Sequence, residues 1–239
     1  MRQTLVGKTA LVTGATRGIG RAVAERLIAE GAAVIGTGTQ PNGVVPDGCT
    51  YAAVDFSDSG ALEEFARMTR EMAPDILINN AGINKISPFS DIDPADFRRI
   101  QQINVMAPFE LMRAVIDGMR TRGWGRIINI CSIWGKVAKE KRGSYATSKF
   151  ALDGMTAALA AEVAGDGILA NCVAPGFIDT ELTRDTLGDA GITELISRVP
   201  ARRLGKPDEI AAFVVWLAGP ENTYISGQNI AIDGGFSRV

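Results

Sequence analysis

Residues 9–20 read TALVTGATRGIG: a short β-branched and apolar run breaks into glycines at 14, 18 and 20, and a helical pattern follows. Glycine tolerates the positive φ of a tight turn and lets backbone N–H groups come close to a ligand. At a helix amino terminus those groups and the helix dipole favour an anion, so a strand, glycine turn and helix in this order form a cradle for a pyrophosphate. The spacing is not GxGxxG. Nor is it a phosphate loop, because Ile19-Gly20-Arg21 supplies no Lys followed by Ser or Thr.

Outward from that unit the same alternation recurs. Apolar runs at 9–13, 33–36, 51–54, 76–79, 126–130, 169–173 and 229–232 are separated by longer stretches with helical spacing. This predicts βαβ units and one parallel sheet with helices on both faces. After Tyr145 the residues Leu152, Met155, Thr156, Leu159, Ala160 and Val163 keep one helix face apolar. Asp93-Pro94 reads as an N-cap with proline at the first helical position, opening a single long helix to about Arg122, before Gly123-Trp124-Gly125. No linker or repeat divides the chain, so one domain spans residues 1–239. The stretch 177–205 mixes short helical patterns with glycine, proline and charge, and is expected to be an irregular insertion, read as a substrate lid or else as a plain surface excursion.

Composition narrows the chemistry. The chain has 25 basic and 27 acidic residues, a formal net charge of -2, so no global positive field recruits nucleic acid or an anionic membrane. It contains 0 histidines, which removes Ser-His-Asp and Cys-His nucleophiles and histidine metal sites; no metal is expected. Cys49, Cys131 and Cys172 are far apart, reading as buried free thiols rather than a disulfide framework. The longest apolar run, residues 210–218, is far short of the ~20 that span a bilayer. With neither a signal peptide nor a carboxyl-terminal sorting signal in the sequence, the cytoplasm is the expected compartment.

The ribose of a dinucleotide is usually read about 20 residues past the glycine turn, by an acid for a free 2′-OH or a base for a 2′-phosphate. Here the second run ends Gly36-Thr37-Gly38-Thr39-Gln40, with no acid. Arg17 supplies a positive charge, and Thr37 and Thr39 supply hydroxyls. NADP(H) is favoured over NAD(H), which stays open. For proton transfer without histidine, Ser132, Tyr145 and Lys149 stand out. Tyr145 and Lys149 share a helix face, and Ser132 follows a strand at its carboxyl end. A nearby ammonium favours a phenolate, and a serine hydroxyl can hold a carbonyl while the tyrosine donates the proton that balances hydride addition.

On these residues the chain resembles the short-chain dehydrogenase/reductase family over essentially its whole length. Thr13 to Gly20 fits the TGxxxGxG turn, Asn79-Asn80-Ala81-Gly82 fits NNAG, and Tyr145-Ala146-Thr147-Ser148-Lys149 fits YxxxK. Ser132 lies at the family's spacing before Tyr145, and Asn104 in Ile103-Asn104-Val105 matches its fourth catalytic residue. The resemblance implies an α/β, Rossmann-type doubly wound parallel sheet of about seven strands, commonly a homotetramer, that transfers hydride between NAD(P)H and a carbonyl or alcohol. It implies Tyr145 as general acid/base, Lys149 as its electrostatic partner and a ribose ligand, Ser132 as carbonyl orienter and Asn104 as holder of a water. Cofactor contacts are implied for Gly14, Thr16, Arg17, Gly18, Ile19, Gly20 and Thr37; for Asp55 and Phe56 near adenine; for Asn80, Ala81 and Gly82 along the middle; and for Pro175, Gly176, Ile178 and Thr180 at the nicotinamide.

Within the family the look is of bacterial 3-oxoacyl-acyl-carrier-protein reductases, carried by Val34-Ile35-Gly36-Thr37, Asn79 to Ile83 and the ending Gly227 to Gly235. The departure lies between Ser132 and Tyr145, where Trp134, Lys136, Lys139, Glu140, Lys141 and Arg142 replace small neutral residues. Such a loop suits an anionic substrate, a sugar acid, a phosphorylated group or an acidic carrier protein, and it also reads as a solvated surface loop. The leading expectation is NADPH-dependent reduction of 3-oxoacyl thioesters. A sugar, polyol or sugar-acid dehydrogenase is the alternative, with a non-catalytic NADPH sensor third.

Overall fold

The computed structural model describes residues 3–238, without the side chains of residues 182, 185–187 and 189–190. Seven parallel strands form one sheet in the order β3-β2-β1-β4-β5-β6-β7. They are β1 (Thr9–Val12), β2 (Ala33–Gly38), β3 (Cys49–Ala53), β4 (Ile76–Asn79), β5 (Gly125–Ile130), β6 (Ile168–Pro175) and β7 (Asn229–Ile232). Every residue of β4, β5 and β6 is buried, as a parallel sheet covered on both faces requires. Strand order reverses between β1 and β4, and at such a switch point the loops beyond the carboxyl ends part to leave a crevice.

Helices α1 (Gly18–Ala29) and α7 (Pro207–Ala218) cover one face, where Val23, Leu27, Ile210 and Val214 meet Val12, Ile78 and Ile128. On the other face lie α2 (Ser59–Met72), α4 (Ala107–Arg122) and α5 (Gly143–Val163), where Leu62, Leu111, Val115 and Val163 meet Leu11, Leu77 and Ile127. Alternate residues of β1 therefore face opposite cores, the period-two geometry of a strand. Among the described residues no helix is long and apolar enough to cross a membrane.

Two expectations are corrected. The single helix expected from Pro94 to Arg122 is α3 (Pro94–Gln101), a π-helical turn over Gln102–Met106, and then α4. The cause is Pro108, which has no N–H to offer at the usual spacing of four, so the ladder is re-registered across one extra residue. The stretch 177–205 is mostly regular rather than irregular. It holds α6 (Glu181–Arg198), kinked at Gly188 with φ 60° and ψ 175°, and its two ends are clamped by a parallel bridge between Ile178 and Gly205. Thr180 caps α6, its Oγ1 accepting from the Thr183 N–H at 3.3 Å.

Candidate active site

The glycine turn is tied to β4 rather than free. Thr13 Oγ1 accepts the N–H groups of Asn80 and Ala81 at 2.9 and 3.0 Å. Asn80 Nδ2 in turn donates to the carbonyls of Thr13 and Gly14 at 2.9 and 3.0 Å. The two sides of the switch point are thus laced by polar groups that leave the outer N–H groups of the turn facing the crevice. Gly14 and Gly18 adopt φ of 67° and 56°. At Gly20 space is the constraint: a Cβ would lie 2.2 Å from the Gly14 carbonyl oxygen and 2.4 Å from Asn80 Nδ2. A turn that only a bare backbone can fill, at the amino end of α1, fits a dinucleotide pyrophosphate.

The cofactor-contact residues expected from sequence do not all present side chains. Thr37 is buried and its Oγ1 accepts the Gly14 N–H at 3.2 Å, so it braces the turn instead of reaching a ribose phosphate. Phe56 is in the core, edge-on to Phe65 at 5.9 Å, which leaves only its backbone for a cofactor. Ile178 is buried and again offers backbone alone, while Ile19 packs on the α1/α7 core and stays partly exposed. Asp55 accepts the Ser57 N–H at 2.9 Å, a bond that holds its carboxyl below the usual range. Arg17 is exposed, with Nη1 3.8 Å from Glu181 Oε2 across the mouth of the crevice. Gly176 is fixed by its N–H donating to the Ile232 carbonyl at 2.9 Å, directly after Pro175 ends β6.

The four polar residues singled out by sequence are brought to one place. Lys149, only 4% exposed, donates from Nζ to the Ile130 carbonyl at 2.8 Å and stands 5.5 Å from the centroid of the Tyr145 ring. Ser132, two residues after Ile130, caps a short turn over Ile133–Gly135, its Oγ accepting the Trp134 N–H at 3.2 Å. A Cβ on Gly135 would lie 2.9 Å from the Lys149 carbonyl, so this turn rests directly on α5. Asn104 Nδ2 donates to the Ile83 carbonyl at 2.9 Å and to Ser148 Oγ at 3.0 Å, while its Oδ1 accepts the Ile83 N–H at 2.9 Å. Gly82 lies between them: a Cβ there would meet Asn104 Oδ1 at 3.3 Å and Lys149 Nζ at 3.7 Å. The loop after β4, the π-helical turn and α5 are thereby locked around one spot.

Asn79, the first residue of NNAG, has a structural part. Its Nδ2 donates to Asn129 Oδ1 at 2.8 Å, and Asn129 Nδ2 passes on to Thr156 Oγ1 at 2.8 Å. Cys131 and Cys172 are buried beneath Ser132; the hydrogen bond between their thiols pulls Cys131 down and pushes Cys172 up. The π-helical turn is the main feature that periodicity missed. Its signal was Pro108 inside an apolar pattern, with Asn104 four residues upstream.

A dinucleotide cradle at a switch point, beside a Ser, Tyr and Lys fixed on β5 and α5, defines a nucleotide-dependent oxidoreductase of the Rossmann class. A family model described as enoyl-(acyl carrier protein) reductase matches residues 14–237. The 3-oxoacyl-acyl-carrier-protein reductase of Vibrio cholerae is 40% identical over 243 residues, covering 98% of this chain and 99% of that protein. The acetoacetyl-CoA reductase of Allochromatium vinosum is 34% identical over 243 residues, covering 96% and 98%. Among solved structures, the gluconate 5-dehydrogenase of Burkholderia cenocepacia, in complex with NADP and tartrate, superposes with a TM-score of 0.92 at 32% identity, covering 100% and 98%. The chain belongs to the short-chain dehydrogenase/reductase family and is an NAD(P)-dependent oxidoreductase.

The cradle makes a prediction. Gly20→Ala forces its methyl into the Gly14 carbonyl, an overpacking that costs about 1–3 kcal/mol. Chemical denaturation is expected to show that loss together with weakened NADPH binding; a variant with unchanged stability and affinity contradicts the tight approach.

Proposed function

We propose that this protein reduces a ketone to a secondary alcohol with NADPH, with 3-oxoacyl thioesters as the leading substrate class and Ser132, Tyr145, Lys149 and Asn104 as the working residues. The observation that carries the reading is the buried Lys149 ammonium, held by the Ile130 carbonyl beside the Tyr145 ring, one short turn from Ser132. The full-length similarity to 3-oxoacyl-acyl-carrier-protein and acetoacetyl-CoA reductases supports the substrate class.

Gly14, Thr16, Arg17, Gly18, Ile19 and Gly20 hold the pyrophosphate side of the cofactor, with Asp55 and the Phe56 backbone at adenine. Asn80, Ala81 and Gly82 line its middle, and Pro175, Gly176, Ile178 and Thr180 its nicotinamide end. When bound there, NADPH would supply the hydride, a proton with two electrons, that the carbonyl carbon accepts. Ser132 donates a hydrogen bond to the carbonyl oxygen and so orients the reacting face. Tyr145 gives its hydroxyl proton to that same oxygen, completing the alcohol. Lys149, its Nζ 5.5 Å from the centre of the Tyr145 ring, stabilises the negative charge left on the tyrosine. Asn104, fixed beside Lys149 and Ser148, holds a water that returns the proton. Run backward, the same groups oxidise an alcohol.

NADP(H) is the preferred cofactor because no carboxylate follows β2 to repel a 2′-phosphate, and the exposed Arg17 pairs only at 3.8 Å with Glu181. NADP in the related gluconate 5-dehydrogenase supports this. Assembly as a homotetramer is supported by Met106, Phe109 and Phe150, large apolar side chains exposed on the π-helical turn, α4 and α5. Free thiols fit a cytoplasmic setting. A second reading, oxidation of a sugar acid, is favoured by charged residues around a cavity next to Ser132 and by the likeness to an enzyme crystallised with tartrate.

Tyr145→Phe tests the chemistry: with acetoacetyl-CoA and NADPH, kcat is expected to fall about 10²–10⁴-fold while NADPH affinity stays within about twofold. Retained turnover sinks the proposal. Arg17→Ala tests the cofactor: it is expected to raise the KM for NADPH roughly tenfold or more and that for NADH far less. Equal effects on both contradict the assignment.

A further inference from the structure

Beside Ser132 lies a cavity of about 400 Å³ lined by Trp134, Val137, Ala138, Lys139, Glu140, Arg198, Phe236 and Ser237. That volume is within the ~300–1,000 Å³ of small-ligand sites. Three separate segments build it: the loop after Ser132, the carboxyl end of α6 and the turn over Phe236–Arg238. Its floor is aromatic. Trp134 meets Phe177 and Phe236 edge-on at 6.0 and 6.1 Å, and Phe177 meets Phe236 at 5.0 Å. Trp134 also gives its N–H to Ser132 Oγ, so the floor adjoins the carbonyl orienter, and Phe177, which follows Gly176, packs against that floor.

The walls are charged. Lys139 stands over the Trp134 ring at 6.0 Å. Neither Lys139 nor Arg198 forms an ion pair with Glu140 or any other carboxylate among the described residues, although neighbouring cations do find partners: Arg203 with Glu209, and Lys136 with the Asn229 carbonyl. Two cations against one carboxylate leave the cavity net positive. A bare acyl chain entering it strips water from Lys139 and Arg198 and returns nothing, whereas an anion pairs with both. The loop that carries Lys139 is fixed rather than loose, for the Lys141 carbonyl accepts the Ser87 N–H at 3.1 Å and Gly143 packs against Phe89 and Ile92.

We infer that this cavity is an anion subsite: Lys139 and Arg198 bind a carboxylate or phosphate on the arm of the substrate that points away from Tyr145, with Glu140 tempering the affinity. The inference rests on Ser132 and Tyr145 as the carbonyl site, and it makes Lys139 and Arg198 determinants of specificity rather than catalytic residues. The anion is either the acid group of a small hydroxy- or oxo-carboxylate or the phosphate of a thioester's carrier arm.

Two matched pairs separate those sources: acetoacetyl-CoA against the phosphate-free acetoacetyl-N-acetylcysteamine, and gluconate against the neutral polyol glucitol. Lys139→Gln/Arg198→Gln is expected to lower kcat/KM roughly tenfold or more for the anionic member of one pair, through KM, and to leave its neutral partner within about twofold. Glu140→Gln is expected to move the anionic member the other way. Whichever pair responds names the source. Binding of gluconate and of CoA to the NADP complex, followed by Trp134 fluorescence with Trp134→Phe as control, reads the subsite without turnover. Equal losses for anionic and neutral members, or binding of neither probe, overturn the subsite. Tyr145→Phe abolishing turnover while probe binding persists keeps that result distinct from a failure of the catalytic reading.

Discussion

The site is assembled by the Asn104 side chain. Three hydrogen bonds from one buried amide join the loop after β4, through both polar groups of Ile83, to Ser148 in the middle of the Tyr145–Lys149 turn of α5. Each such bond is worth about 1 kcal/mol net, and leaving its partners buried and unpaired costs about 1–3 kcal/mol apiece. The amide can point this way because the helix takes one extra residue into its turn at Gln102–Met106. A continuous α-helix carries its side chains at a different angle there, so the π-helical turn and the convergence of β4, α4 and α5 are one feature.

A second joint works by the same economy. Thr13-Gly14 and Asn80-Ala81 share four hydrogen bonds across the switch point, and Gly20 admits no side chain at that crossing. The Asn80 amide and the Asn80 and Ala81 N–H groups are therefore consumed in holding β1 to β4. What the crevice receives is backbone: N–H groups of the turn, the Gly82 edge and the rim at Gly176. Several residues expected at the cofactor, Thr37, Phe56 and Ile178 among them, accordingly turn their side chains inward.

Much of this was legible in the sequence, for physical reasons that differ from place to place. The strands could be read because a parallel sheet buries whole apolar runs, and β4 and β7 match their expected limits. The glycine turn and the Tyr145, Lys149 pair were legible because their chemistry needs fixed spacings. The π-helical turn was hidden because a single added residue hardly disturbs a 3.6-residue pattern; only Pro108 marks it. α6 was obscured by Gly188, which breaks its periodicity, and the inward turn of Thr37 depends on a partner, Gly14, far away in the chain. The cavity at Trp134 needs Arg198 and Phe236, which sequence order keeps apart, so charge in the loop at 136–142 was visible while its setting was not.

The most direct test of the account is Asn104→Ala, read by steady-state kinetics alongside NADPH binding and the solvent deuterium isotope effect on kcat. The account predicts a fall in kcat of about 10²-fold with NADPH affinity within about threefold and a larger isotope effect, because proton delivery at Tyr145 becomes limiting. A folded Asn104→Ala protein that keeps the kcat and isotope effect of the native chain would show that Tyr145 and Lys149 are positioned without this clamp, and would contradict it.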